Sequence, residues 1–172
     1  TPYIYQGEEL GMVNPGFTRI DQYRDVESTN YYEILRGEGM SEDEALAILA
    51  ERSRDNSRTP MQWSAEKNAG FTTGTPWIET ADNYHEINAE SQLENEDSVL
   101  AYYRHLIELR RRMPIIQSGD VRFLSEDELG GAEKIIGYAR SHGGERLLVL
   151  CSFDEHETPL PRSLVESGAC VL

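Results

Sequence analysis

Over residues 97–113 the apolar side chains Val99, Tyr102, Leu106, Leu109 and Met113 recur at helical spacing, while Arg104 and His105 fall off that stripe. The pattern predicts an amphipathic helix with one buried face, opened by Asp97 and stopped by Pro114. Arg110, Arg111 and Arg112 gather in its last turns. There they complement the negative end of the helix dipole, so they read as stabilising and not as a binding patch. A second helix is predicted over about 26–36, closed by Gly37 and Gly39. Ser41-Glu42-Asp43-Glu44 has the form of a capping box and opens a short helix with Ala45, Leu46, Ile48 and Leu49 on its apolar side.

Elsewhere the period is that of strands. Residues 119–124, 135–140 and 146–151 are short β-branched and aromatic runs bounded by glycines, the last two joined across His142-Gly143-Gly144 as a hairpin. At the other end, Pro2-Tyr3-Ile4-Tyr5 reads as the inside of a strand that must stop at Gln6-Gly7-Glu8-Glu9. Loops after strand ends build active sites in parallel α/β architectures, which makes Glu8 and Glu9 candidates. An ordinary glycine-punctuated turn with solvated glutamates accounts for them equally. Residues 64–90 are too polar for a core but carry Phe71, Trp77, Tyr84 and Ile87, which predicts an ordered rim or lid with separated anchors.

Composition narrows the partners. With 16 Lys and Arg against 31 Asp and Glu, a net charge of −15 argues against nucleic acid and against an anionic membrane surface. Cys151 and Cys170, with no CxxC and only His156 nearby, indicate neither a disulfide framework nor a zinc site. A reduced, cytoplasmic setting is expected, and no run reaches the length of a membrane span. The 172 residues suffice for one good core, or for the tail of a larger domain and a small second one. Because the chain starts at Thr1 inside an apolar run, a piece of a longer protein is expected.

Candidate chemistry concentrates in Arg54-Asp55-Asn56-Ser57-Arg58-Thr59-Pro60-Met61-Gln62-Trp63. Guanidinium forks can hold vicinal hydroxyls or brace carboxylates that do so, amides donate and accept, and an indole covers the apolar side of a pyranose. The same residues also suit a helix C-terminus whose arginines satisfy its last carbonyls and whose Trp fills a core gap. Composition alone favours this second use.

Several motifs taken together change that balance. Thr-Pro-Tyr-Ile-Tyr-Gln-Gly-Glu-Glu-Leu-Gly-Met (1–12), Tyr-Arg-Asp-Val-Glu (23–27), Ser-Arg-Asp-Asn-Ser-Arg-Thr-Pro-Met-Gln-Trp (53–63), Ala-Gly-Phe-Thr-Thr-Gly (69–74) and Pro-Trp-Ile (76–78) occur in this order. The chain closely resembles the C-terminal part of bacterial α-glucosidases of the α-amylase superfamily, the group of oligo-1,6-glucosidase, dextran glucosidase and trehalose-6-phosphate hydrolase. The resemblance implies an α/β fold: the C-terminal end of a (β/α)8 TIM barrel over 1–113, with strand 8 at 1–6 and helix 8 at 97–113. An incomplete antiparallel β-domain over 114–172 would follow.

It further implies a retaining hydrolase whose nucleophile and acid/base lie upstream of Thr1, so that the chain alone carries no catalytic residue and is inactive. Arg58 is then expected at the innermost glucose subsite, paired with an upstream Asp, and Glu27 at the next sugar. Arg54, Gln62 and Trp63 are expected to support them, with Glu8 and Glu9 lining or bracing the site. The resemblance implies no metal and no cofactor, a small oligosaccharide or disaccharide phosphate as substrate, and a monomeric full-length enzyme. Residues 36–40 and 47–56 look more like the trehalose-6-phosphate hydrolases than the oligo-1,6-glucosidases. A catalytically silent relative, of the kind that serves as a transporter heavy chain, is the alternative from another class.

Overall fold

The computed structural model describes residues 2–164, so Thr1 and Cys170 lie outside the described residues. The chain forms two compact units that divide between His105 and Leu106.

In the first unit, helix α1 runs over Val26–Gly37 and α2 over Glu42–Arg52. The chain enters α1 through Asp25, whose carboxylate accepts the Ser28 amide and so satisfies one of the donors a helix start leaves open. The predicted capping box opens α2: Ser41 Oγ accepts from the Glu44 amide at 3.3 Å, and the Glu44 carboxylate accepts from the Ser41 amide at 2.9 Å. The Ser41 hydroxyl, with its amide, holds the Glu44 carboxyl below its ordinary value. Tyr32 and Leu35 of α1 then pack on Ala45, Leu46 and Leu49 of α2, completed by Phe17, Tyr23 and Ile78. Residues three and four apart share a helix face, which is why these five close one core.

The loop over 64–90 anchors itself otherwise than the sequence suggests. Phe71 is 49% exposed and Trp77 65%, whereas Ile78 is buried and fills the core. Upstream, Asn68 and Ala69 take left-handed backbone at φ 55° and 57°, and the Ala69 carbonyl accepts the amides of Trp63 and Ser64. The short helix α3, Ala89–Leu93, follows, capped by Asn88.

Two other expectations are corrected. Residues 2–5 form no strand, with Tyr3 91% exposed and Tyr5 60% exposed, because among the described residues no neighbouring strand offers them a ladder. The helix expected over 97–113 is present as α4, Val99–Arg112, yet none of its residues is buried. Val99, Tyr102 and Leu106 of the apolar stripe are all more than two-fifths exposed. Pro114 does stop α4, but it also opens the short helix α5, Pro114–Ser118, where its missing N–H is an unpaired position anyway.

The second unit is built on a three-stranded antiparallel sheet in the order β1-β2-β3, from β1 Asp120–Phe123, β2 Ile135–His142 and β3 Glu145–Ser152. The predicted hairpin is present, with His142 opposite Glu145. Gly143 and Gly144 both take positive φ, 57° and 86°, the geometry a two-residue turn needs to follow the strand twist. Ile135, Gly137 and Ala139 alternate inward along β2. A Cβ on Gly137 would lie 2.9 Å from both Leu124 and Leu129, so the small cluster of Leu124, Leu129, Ile135 and Leu164 closes only over a bare backbone. Arg140 donates to the carbonyls of Ile115 at 2.7 Å and Gly119 at 2.8 Å, tying the end of α5 to the sheet.

The turn after β1 is held by a fork-to-fork pair, Arg122 to both oxygens of Glu128 at 2.9 and 3.0 Å. That pair first, and the Ser125 amide second, hold the Glu128 carboxyl down at about 2 instead of 4.5. A depressed folded-state value means the contribution to stability is present above the ordinary value and is lost as pH falls from about 4.5 to about 2. The stability difference between wild type and Glu128→Gln is therefore expected to shrink over that window. A difference that stays constant down to pH 2 would contradict the pairing.

Candidate functional site

The first unit gathers its charged residues where the chain enters α1 and leaves α2. Asp55, in a 3-10 turn over Arg54–Ser57, is fully buried. Its Oδ2 accepts the consecutive amides of Arg24 at 2.6 Å and Asp25 at 2.8 Å. Ser53 caps the turn, its Oγ accepting from the Asp55 amide and lying 2.8 Å from Ser28 Oγ. Arg58 follows this turn at its C-terminal end, and its amide donates to the Asp55 carbonyl at 3.0 Å.

The guanidinium of Arg58 is held by one nitrogen. Nη1 lies 3.1 Å from Asp25 Oδ1 and 3.5 Å from Asp55 Oδ1. Among the described residues Nε and Nη2 have no hydrogen-bond partner, and the side chain is 39% exposed. Desolvation is the largest influence on the Asp25 carboxyl and pushes it up. The Ser28 amide and hydroxyl together with Arg58 outweigh it and leave the group below its usual range, an anion at neutral pH. Burial, and then the charge of Asp55, push the Tyr23 phenol up to about 12.

Glu27 sits in the first turn of α1 and pairs with Arg54 at 2.8 Å on the open surface. Both line a cavity of about 300 Å³ with Asp25, Tyr31 and Arg52. The structure thus joins Arg54 and Glu27 at one cavity, connects Arg58, which does not line it, to that cavity through Asp25, and adds Asp55, Ser28 and Ser53. The position of Asp25 just before a predicted helix was the available signal for one of these. Nothing in the sequence marks Asp55 as buried.

The remaining candidates are placed apart. Gln62 is buried, donating through Nε2 to Asn83 Oδ1 at 3.3 Å and to the Ile87 carbonyl, while its main-chain carbonyl accepts the Ala89 amide; its side-chain Oε1 has no partner among the described residues. Trp63 is 52% exposed and lines a second cavity, of about 520 Å³, with Glu9, Met61 and Leu93. Glu9 accepts the Gly7 amide at 2.9 Å. Glu8 accepts the Tyr5 amide at 3.0 Å and the Tyr103 hydroxyl at 2.9 Å, and these two bonds, in that order, hold its carboxyl low.

Chemically, the cluster presents a pinned, partly exposed cation with two donor nitrogens unengaged among the described residues, a donor set that suits vicinal hydroxyls or a further carboxylate. It offers no acid/base pair. The carboxylates of Asp25 and Asp55 are committed to main-chain amides and to Arg58, so neither is poised to attack a carbon or hand over a proton. Among the described residues no group of three His, Cys, Asp or Glu side chains is arranged to hold a metal ion, and no helix is long and apolar enough to cross a membrane.

Known proteins share this arrangement of sequence and fold. The chain is 49% identical over 166 residues to the trehalose-6-phosphate hydrolase of Bacillus subtilis (strain 168), covering 95% of this chain and 29% of that protein. It is 45% identical over 163 residues to an oligo-1,6-glucosidase of Parageobacillus thermoglucosidasius, covering 94% and 28%. The crystal structure of Bacillus licheniformis trehalose-6-phosphate hydrolase superimposes with a TM-score of 0.86 at 50% identity, over 98% of this chain and 30% of that one. The chain therefore spans under a third of the length of these relatives. Residues 1–119 match the family described as alpha amylase, catalytic domain, and the chain belongs to the alpha-amylase family.

Proposed function

We propose that this chain supplies part of the sugar-binding wall of a retaining α-glucosidase that acts on short α-glucosides, with trehalose 6-phosphate as the first candidate substrate. The observation that carries the reading is the cluster at Arg58, a half-exposed guanidinium pinned by Asp25 and Asp55, in a chain half identical to a trehalose-6-phosphate hydrolase. In this reading Arg58 holds the end of the sugar and Glu27 meets the next one. The attacking carboxylate and the acid that protonates the leaving oxygen come from the part of the relatives that this chain does not span. In this reading residues 2–5 become the last strand of a (β/α)8 barrel only when paired with neighbours that this chain does not span, and α4 is its last helix. The exposure of Tyr3, Ile4, Tyr102 and Leu106 supports this, since an apolar stripe of that kind is normally covered. The segment after Pro114 is the start of a C-terminal β-domain.

The oligo-1,6-glucosidase relative, at 45% identity, supports a second reading in which an unphosphorylated α-1,6-linked substrate is preferred. Steady-state assay of the full-length protein on trehalose 6-phosphate beside isomaltose separates the two. The first reading expects kcat/KM to favour the phosphorylated sugar by at least about a hundredfold, since each charge-assisted hydrogen bond to the phosphate is worth about 1.5–3 kcal/mol. Preference for isomaltose selects the second, and turnover of neither overturns both.

A further inference from the structure

We propose that Asp55, together with Asp25, is a positioning residue for Arg58, fixing which edge of the guanidinium is left to meet a sugar. The inference rests on the reading that Arg58 binds substrate. Asp55 is fully buried, and its two oxygens have different partners. Oδ2 takes the Arg24 and Asp25 amides at 2.6 and 2.8 Å, while Oδ1 is turned to Arg58 Nη1 at 3.5 Å.

The bonds around it close a ring. Asp55 Oδ2 accepts the Asp25 amide, Asp25 Oδ2 accepts the Ser28 hydroxyl, Ser28 Oγ lies 2.8 Å from Ser53 Oγ, and Ser53 Oγ accepts the Asp55 amide at 3.2 Å. A closed ring of this kind cannot shift one member without breaking a bond, so the two carboxylate oxygens facing Arg58 stay at fixed places. Arg58 is referenced to it twice, through its own amide to the Asp55 carbonyl and through Nη1 to both carboxylates. With Nη1 engaged, the rigid plane of the guanidinium fixes where Nε and Nη2 lie. A buried anion that only organised the main chain would need one oxygen for its two amides. The second oxygen faces the cation.

Asparagine separates the two jobs. In Asp55→Asn the remaining oxygen can keep both amides, while the new NH₂ confronts Arg58 donor to donor. The test is a double-mutant cycle on the full-length enzyme, comparing wild type, Asp55→Asn, Arg58→Ala and the double variant by kcat/KM on 4-nitrophenyl α-glucoside, with thermal midpoints measured alongside. Asp55→Asn is expected to lower kcat/KM roughly tenfold in the wild-type background and to have no further effect once Arg58 is alanine. A merely structural role moves the midpoint in both backgrounds and leaves the kinetic effects additive. Additive effects overturn the proposal while leaving Arg58 as a sugar ligand, whereas unchanged kinetics in Arg58→Ala overturn the underlying reading itself. Should Asp55→Asn not fold, Asp25→Asn removes the shorter contact to Arg58 and carries the same cycle with the same two outcomes.

Discussion

Replacing Arg58 with lysine in the full-length protein is expected to lower kcat/KM by about 10- to 100-fold while changing stability by less than about 1 kcal/mol. The charge survives this change, but the geometry does not. Arginine can rest Nη1 between Asp25 and Asp55 and still present Nε and Nη2, because the three nitrogens are locked in one plane. A lysine has a single nitrogen. It either neutralises the two carboxylates or reaches outward to a sugar, and the pull of two fixed anions decides for the former. One charge-assisted hydrogen bond to substrate is worth about 1.5–3 kcal/mol, which sets the kinetic scale. The stability change is small because the side chain is 39% exposed and the ammonium still compensates Asp25 and Asp55. Steady-state kinetics and thermal unfolding of the two proteins check both halves. A folded Arg58→Lys protein with wild-type kcat/KM removes Arg58 from the site.

A core substitution should do the opposite, costing stability and sparing the affinity of whatever remains folded. Leu46 is 5% exposed and sits between α1 and α2 with Leu35, Leu49 and Ile78. Leu46→Ala removes packed methyl groups that the surrounding helices cannot fully collapse upon, at a cost of about 2–5 kcal/mol. Urea denaturation of the full-length protein followed beside kinetics at low temperature reads this, with the first transition moving to lower denaturant and KM unchanged. The consequence reaches the site only on unfolding, since Leu46 does not line the cavity of Glu27 and Arg54, and the Ser53 amide closes α2 on the Leu49 carbonyl by a backbone bond that does not depend on that side chain. A loss below about 1 kcal/mol would mean that α1 and α2 are not a packed pair.

The elements legible in the sequence are those whose signals are local. Ser41 and Glu44 satisfy each other's amides wherever the surrounding chain goes, so the start of α2 could be read from four residues. The glycine pair at 143 and 144 specifies a tight hairpin in the same way. Misreadings arose where a residue answers to something distant. Phe71 and Trp77 look like anchors by size, yet it is Ile78 that reaches the core, where it meets side chains of α1 and α2 far along the chain. Residues 2–5 have strand composition and no strand, since a ladder needs a neighbour that composition cannot supply. Pro114 was legible as a stop and not as a start, although its fixed φ serves both.

At the site the division is sharper. That this stretch bears two arginines, an Asp, two amides and a Trp is plain from residues 54–63 alone, and the motifs around it sufficed to identify the family. Which of them act together was decided only by folding. Asp25 stands thirty residues before Asp55, and their amide-to-carboxylate bond exists because α1 and α2 pack on one another through Leu35, Leu46 and Leu49. Side-chain type and local caps are properties of neighbouring residues, so the chain order determines them. The pinning of one guanidinium nitrogen by two acids is a long-range agreement of positions, and only the packed core sets it.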